Sequence, residues 1–224
     1  MSRQPRIDLA GYVYHIINRA SGRVPIFKTD KDYVEFEEVL TEAKERTDIN
    51  LFAYCIMPNH FHLALMPKQD GDIQKFMGWF TKTQTQRWHS SHGTIGHGHL
   101  YQGRYKSFIV NTDEYFSTLM CYIEQNPLRA KLVQKSEEWH WSSLYRRKFG
   151  TTNQKSLLND WPVPVQNDYN MRVNTILSEK SLNKVRQSIT KGSPLGGEGW
   201  RTDLIKALNL GYTQRSVGRP KNGS

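Results

Sequence analysis

The chain has 224 residues, 37 % of them apolar and 23 % charged, enough for one domain with an appendage or two small ones. Its longest uncharged apolar run, residues 51–58, falls far short of the roughly 20 residues that span a bilayer, and no apolar stretch follows the opening Met1-Ser2-Arg3-Gln4-Pro5-Arg6, so neither an anchor nor a secretory signal is expected. A net charge of +10, from 31 Lys and Arg against 21 Asp and Glu, argues for a polyanionic partner, nucleic acid before membrane, in the cytoplasm and beside the nucleoid.

Residues 11–19, Gly-Tyr-Val-Tyr-His-Ile-Ile-Asn-Arg, are aromatic and β-branched and predict a strand. Thr29 or Asp30 caps a helix in which Tyr33, Phe36, Val39, Leu40 and Ala43 recur at helical spacing. Residues 51–57 and 60–66 predict two strands of a hairpin turning at Pro58-Asn59. Ile73, Phe76, Met77 and Phe80 mark one face of a second helix over 72–89, followed by a Gly- and His-rich loop to 103. A fourth strand over 107–111 leads to a third helix, capped by Thr112 or Asp113 and stopped by Asn126-Pro127, with a short helical turn over 128–132. The order β-α-β-β-α-β-α predicts a ferredoxin-like split βαβ core, an antiparallel sheet with helices on one face. Composition shifts near Gly150. We therefore expect a core over 1–150 and a mostly helical extension over 151–224, with weak helices over 178–190 and 198–208 and a basic, acid-free tail from Tyr212.

The sharpest chemical signal is His60-Phe61-His62. On a strand, residues i and i+2 share a face, so both imidazoles project together while Phe61 enters the opposite layer. Two neutral imidazoles can hold a divalent metal; a pair of hydrogen-bonded edge-strand histidines is the plainer alternative. On the third helix Tyr122 and Asn126 are four apart and share a face, which would put a carboxamide oxygen and a phenol beside the same metal. A phenol of pKa about 10 needs activation to act as a nucleophile. Tyr115, seven residues earlier, competes for that role. His89, His92, His97 and His99 have no Cys or acid among them to complete a metal site, Trp139 and Trp141 read as packing residues, and Cys55 and Cys121 as small buried side chains.

Met57-Pro58-Asn59-His60-Phe61-His62-Leu63 and Tyr122-Ile123-Glu124-Gln125-Asn126-Pro127-Leu128-Arg129-Ala130 resemble the signatures of the single-tyrosine transposases with a His-hydrophobic-His motif, the IS200/IS605-like group and its REP-associated branch. Tyr14-His15-Ile16-Ile17-Asn18-Arg19, Gly103-Arg104-Tyr105-Lys106, Pro194-Leu195-Gly196 with Trp200, and Gly218-Arg219-Pro220-Lys221 match more loosely. The resemblance implies a metal-dependent nuclease and strand transferase acting on single-stranded or hairpin DNA. Tyr122 would form a 5′-phosphotyrosine linkage, with His60, His62 and Asn126 on Mg2+ or Mn2+. Some relatives carry Gln as third ligand, which makes Gln125 the fallback. It also makes Asn18, Arg19, Arg104, Lys106, Arg215, Arg219 and Lys221 candidate DNA contacts, the last two in a segment like an AT-hook core. Monomers and helix-exchanging dimers both occur in the family, and the long extension favours a monomer. Two other readings stay open, a non-catalytic DNA- or RNA-binding regulator on the same fold and a hydrolase that uses water as nucleophile.

Overall fold

The computed structural model describes residues 6–214. Its elements are β1 (Val13–Arg19), α1 (Asp30–Arg46), β2 (Ile49–Met57), β3 (His60–Pro67), α2 (Asp72–Ser91), β4 (Lys106–Val110), α3 (Glu114–Glu124), α4 (Asn126–Arg129), α5 (Ser143–Phe149), α6 (Thr152–Ser156), α7 (Tyr169–Asn174), α8 (Glu179–Lys191) and α9 (Glu198–Ala207). The four strands pair antiparallel in the order β2-β3-β1-β4, the ferredoxin-like arrangement. No helix among the described residues is long and apolar enough to cross a membrane.

Local chemistry accounts for the boundaries. Asp32 accepts the Thr29 N–H at 2.8 Å and caps α1. The Asp113 carboxylate accepts the Tyr115 N–H at 2.8 Å and starts α3. Phe52 is an extra residue in β2, where the register steps from Leu51 to Ala53, so Phe52 and Ala53 both face the α3 side.

The helices cover both faces of the sheet, not one. Tyr14, Ile16, Tyr54, Ile56, Phe61, Leu63 and Leu65 pack with Phe36, Leu40, Phe76 and Phe80 of α1 and α2. On the other face Val13, Cys55, Ala64 and Phe108 pack with Phe116, Leu119, Met120 and Ile123 of α3. Tyr169, Val173, Leu182 and Val185 of α7 and α8 join that second layer. Both cysteines are buried and free. Trp139 Nε1 donates to the Ile56 carbonyl at 2.9 Å and Trp141 stacks on Tyr33 with ring centroids 4.8 Å apart, so both are packing residues.

The sequence signals missed α5 to α7, each under two turns long. In α5, Arg146 turns inward onto Glu37 of α1, at 3.0 Å and 2.6 Å through two nitrogens. α7 is held by Tyr169, whose hydroxyl donates to the fully buried Glu124 at 2.5 Å, the other oxygen of which accepts Ser143 Oγ at 2.6 Å. Gln125 is also fully buried; it donates to the Thr175 carbonyl at 3.3 Å and accepts the Leu177 N–H at 3.1 Å.

Phe61 has no exposed surface and meets Phe36, Phe80 and Tyr101 with ring centroids 5.1, 5.6 and 5.7 Å away. Phe61→Ala should lower the unfolding free energy by about 3–5 kcal/mol, read from urea denaturation. A loss under about 1 kcal/mol would mean that this aromatic layer does not fix β3.

Candidate active site

β3 is an inner strand, so the histidine pair is not on a sheet edge. His60 and His62 project to the α3 face, with ring centroids 5.0 Å apart, and Phe61 to the other. They line a pocket of about 400 Å³ with Ile17, Arg19, Met57, Tyr122, Asn126, Arg129, Arg186 and Ile189 among its other walls. The chain contains 21 Asp and Glu, yet none of the described ones lines this pocket. That balance selects for an anion.

Each imidazole has one nitrogen engaged. His60 Nδ1 meets Asn59 Oδ1 at 2.7 Å. His62 Nδ1 meets His15 Nε2 at 2.8 Å. The His15 and His62 rings lie within 22° of parallel with centroids 5.0 Å apart, which places them edge to edge through those nitrogens. His15 reaches His62 because β1 pairs with β3 so that Ile17 faces His62 and His15 faces Ala64, one diagonal step away. Burial lowers His15 to about 3 and His60 to about 4. Burial also holds His62 well below the usual imidazole value, and His60, His15, Arg129 and Arg19 push the same way. All three rings are therefore neutral near neutral pH.

The donor set fits a divalent ion. His60 and His62 each keep Nε2 without a hydrogen bond among the described residues, and the second nitrogens are oriented by neighbours as metal-bound imidazoles are. If Nε2 of His62 is the free lone pair, its proton sits on Nδ1 and is donated to His15. The proton of His15 then lies on Nδ1, which is buried with no partner. Among the described residues no three His, Cys, Asp or Glu side chains gather as a metal site, so further ligands would come from an amide, water or a phosphate. His89 and His92 are engaged elsewhere, with Thr94 Oγ1 at 2.8 Å and with Asp32 at 3.2 Å over the Trp88 ring.

Tyr122 is 7 % exposed, with its ring 5.8 Å from that of His62. Burial raises its phenol above the ordinary value, while Arg129, Arg186 and Arg19 pull it down. Tyr115 is not in this pocket; its hydroxyl accepts from Lys184 Nζ at 3.2 Å. Tyr122 and Asn126 do not share one helix. α3 ends at Glu124 and α4 starts at Asn126, because Pro127 has no N–H for the Ile123 carbonyl and its ring would meet that carbonyl. Asn126 still folds back on the helix end. Its Nδ2 donates to the Tyr122 and Ile123 carbonyls at 3.0 and 3.3 Å, and its Oδ1 accepts Arg129 Nη2 at 2.8 Å. The fallback Gln125 points into the α7 side and not into the pocket.

The other candidate contacts divide. Asn18, Arg19, Arg104 and Lys106 line one groove of about 310 Å³, which shares Ile17, Arg19 and Ile189 with the Tyr122 pocket. Arg215, Arg219 and Lys221 lie outside the described residues. His15, Arg129 and Arg186 were not singled out from sequence. The first two sit inside the stretches 14–19 and 122–130 that resemble the family, whereas Arg186, on α8, has no local signal.

A model of IS200-like transposases matches residues 9–126. The chain belongs to the IS200-like transposase family. A Haemophilus influenzae protein named as a REP-associated tyrosine transposase is 23 % identical over 155 residues, 65 % of this transposase and 87 % of that protein. A solved structure of a REP-associated tyrosine transposase bound to a REP hairpin superposes with a TM-score of 0.55 at 18 % identity, covering 80 % of this transposase and all of that chain. The second likeness concerns the fold.

The neutral histidines predict a pH dependence of the transposase's stability. Below about 6.5 the unfolded imidazoles take up protons, whereas folded His60 resists until about 4 and His15 until about 3. The unfolded state then binds more protons, so stability falls as pH drops through that window. Urea denaturation between about pH 7 and pH 5 should show a shallower loss in His62→Asn than in wild type. Equal slopes would place the charge elsewhere.

Proposed function

We propose that this transposase cuts and rejoins single-stranded DNA at hairpin or repeat sequences, using Tyr122 as nucleophile and a divalent ion on His60 and His62. The observation that carries the reading is one pocket, free of carboxylates, that holds a phenol, two neutral imidazoles and three guanidiniums. The hairpin is suggested by the fold relative solved with a REP hairpin. The groove through Asn18, Arg19, Arg104 and Lys106 supplies a cationic path for backbone phosphates into the pocket.

In the proposed step Tyr122 Oη forms a bond to phosphorus and the bond to the 3′ oxygen breaks. The phenol proton is lost and the departing oxygen gains one, leaving a free 3′ hydroxyl and a 5′-phosphotyrosine. One phosphodiester replaces another, so the reverse attack by a 3′ hydroxyl can rejoin strands without ATP. Mg2+ or Mn2+ bound at His60 and His62 would polarise a phosphate oxygen. His15 and Asn59 hold the two imidazoles in place. Because one chain brings Tyr122 to its own histidines, we propose that a monomer suffices.

The test uses labelled single-stranded oligonucleotides from the DNA flanking the gene, with and without Mn2+. Wild type and Tyr115→Phe should give a covalent protein–DNA adduct that survives denaturation, and Tyr122→Phe should give none. An adduct retained in Tyr122→Phe would reassign the nucleophile. Tight binding of several hairpins with no adduct would favour a non-catalytic regulator, and multiple turnover without an adduct would favour a water nucleophile.

A further inference from the structure

A second groove, of about 800 Å³, lies between α2 and the loop over residues 98–105. Gln74, Gly78, Thr81, Lys82 and Thr85 fall on one face of α2 and form one wall. The loop wall is fixed by the chain itself. The Ser21 N–H donates to the Leu100 carbonyl at 2.8 Å, the Gln102 N–H to the Arg19 carbonyl at 2.9 Å, and the Tyr101 hydroxyl to Gln84 Oε1 at 2.8 Å. The groove shares Asn18, Gln102, Gly103 and Arg104 with the smaller one described above, which in turn meets the Tyr122 pocket at Ile17, Arg19 and Ile189. The three cavities thus form one path from α2 to Tyr122.

Lys82 and Arg104 supply positive charge, and no Asp or Glu among the described residues lines the groove. Four carboxamides line it as well, Asn18, Gln74, Gln86 and Gln102. A phosphate backbone needs only the cations. Carboxamides both donate and accept, which matches the edges of bases, and Watson–Crick edges are free only in an unpaired strand. Asn18 is 6 % exposed. Its Oδ1 accepts the Arg19 N–H at 3.0 Å, which fixes the amide orientation, and its Nδ2 has no hydrogen-bond partner among the described residues. A buried donor is thus left where the two grooves join. Gly78 is a second, independent sign. Glycine inside a helix is destabilising relative to alanine, yet a Cβ at this position would meet nothing within 4 Å. Packing within the chain does not require the glycine; its effect is to leave α2 low where it faces the groove.

We propose that this groove reads the bases of the unpaired strand that leads to Tyr122. Gly78 is the position that admits the strand against α2, Asn18 and Gln86 read base edges, and Lys82 and Arg104 take phosphates. The proposal rests on the tyrosine-nuclease reading above, which supplies the single-stranded substrate.

The test is binding of hairpin oligonucleotides from the DNA flanking the gene, measured by fluorescence anisotropy on the full-length protein without metal. Three probes share one stem. One carries its natural unpaired extensions, one carries abasic extensions that keep the phosphates, and one is blunt. Wild type should bind the natural extensions at least about 10-fold more tightly than the abasic ones, the discrimination expected of one or two read bases. Gly78→Leu should remove most of that advantage and leave the blunt stem within about 2-fold of wild type. It should also melt no lower than wild type, because leucine favours a helix over glycine. Asn18→Ala and Gln86→Ala should each flatten the dependence on base identity at one position, scanned base by base along the extensions. Equal affinity of wild type for natural and abasic extensions would overturn base reading, and a full advantage kept by Gly78→Leu would overturn the path of the strand. If Gly78→Leu does not fold, Gly78→Ala carries the test, with a smaller loss of the same sign. The nuclease reading fails separately, if Tyr122→Phe still forms the adduct, a result that leaves these affinities unchanged.

Discussion

Everything at the pocket depends on the alternation of side chains along β3. Phe61 is locked among Phe36, Phe80 and Tyr101 on one side of the sheet, which leaves His60 and His62 only the other side. A slip of one residue would bury both imidazoles in the aromatic layer and expose the phenyl ring to the pocket. The hairpin turn at Pro58-Asn59 and the pairing with β1 oppose such a slip. The same register carries His15 to His62, so the aromatic layer that pins the strand also determines which neighbour orients the imidazole.

The second constraint is the end of α3. A helix leaves its last carbonyls without internal partners, and Pro127 deepens the deficit at Ile123. This chain meets it with side chains from the next turn, Asn126 and Arg129. A cation at the carbonyl end of a helix is favourable in its own right, which explains how Arg129 can sit half-buried with no carboxylate. The local problem of ending a helix thus leaves a guanidinium and a phenol side by side. Arg19 and Arg186 add charge to a space that holds no acid. The mutual repulsion of these cations is relieved when an anion enters, and a phosphodiester has the matching charge and oxygens.

Much of this was legible in the sequence because it rests on short-range rules. The helical spacing of Tyr33, Phe36, Val39 and Leu40, the strand period through His60-Phe61-His62 and the cap signals at Thr29-Asp30 and Thr112-Asp113 act over a few residues, and the elements form where these rules predict them. The rest depends on separations that periodicity does not encode. His15 meets His62 only through strand pairing 47 residues apart. The covering of the second sheet face follows from α3 and from helices beyond Gly150. A spacing of four puts Tyr122 and Asn126 on one face, but the proline one step further ends α3 at Glu124, and Asn126 starts α4 beside the same pocket. The fallback Gln125 faces the irregular Thr175–Leu177 backbone between α7 and α8, a partner that nothing near it in sequence announces.

That last partner shows why the segment after Gly150 is more than an appendage to the pocket. Two consecutive residues at the end of α3, Glu124 and Gln125, are fully buried, and both reach that segment, Glu124 through Tyr169 and Gln125 through Thr175 and Leu177. Stripped of that cover, a carboxyl whose pKa burial raises would face water, and the end of α3 would lose the contacts that fix its angle. Two turns later the same segment returns as α8 to place Arg186, Ile189 and Thr190 in the pocket wall. The position of Tyr122 is therefore set from both directions, by the sheet through His62 and by the extension through Glu124 and Gln125. A cut between the core and the extension would remove one of these supports and one of the three arginines together.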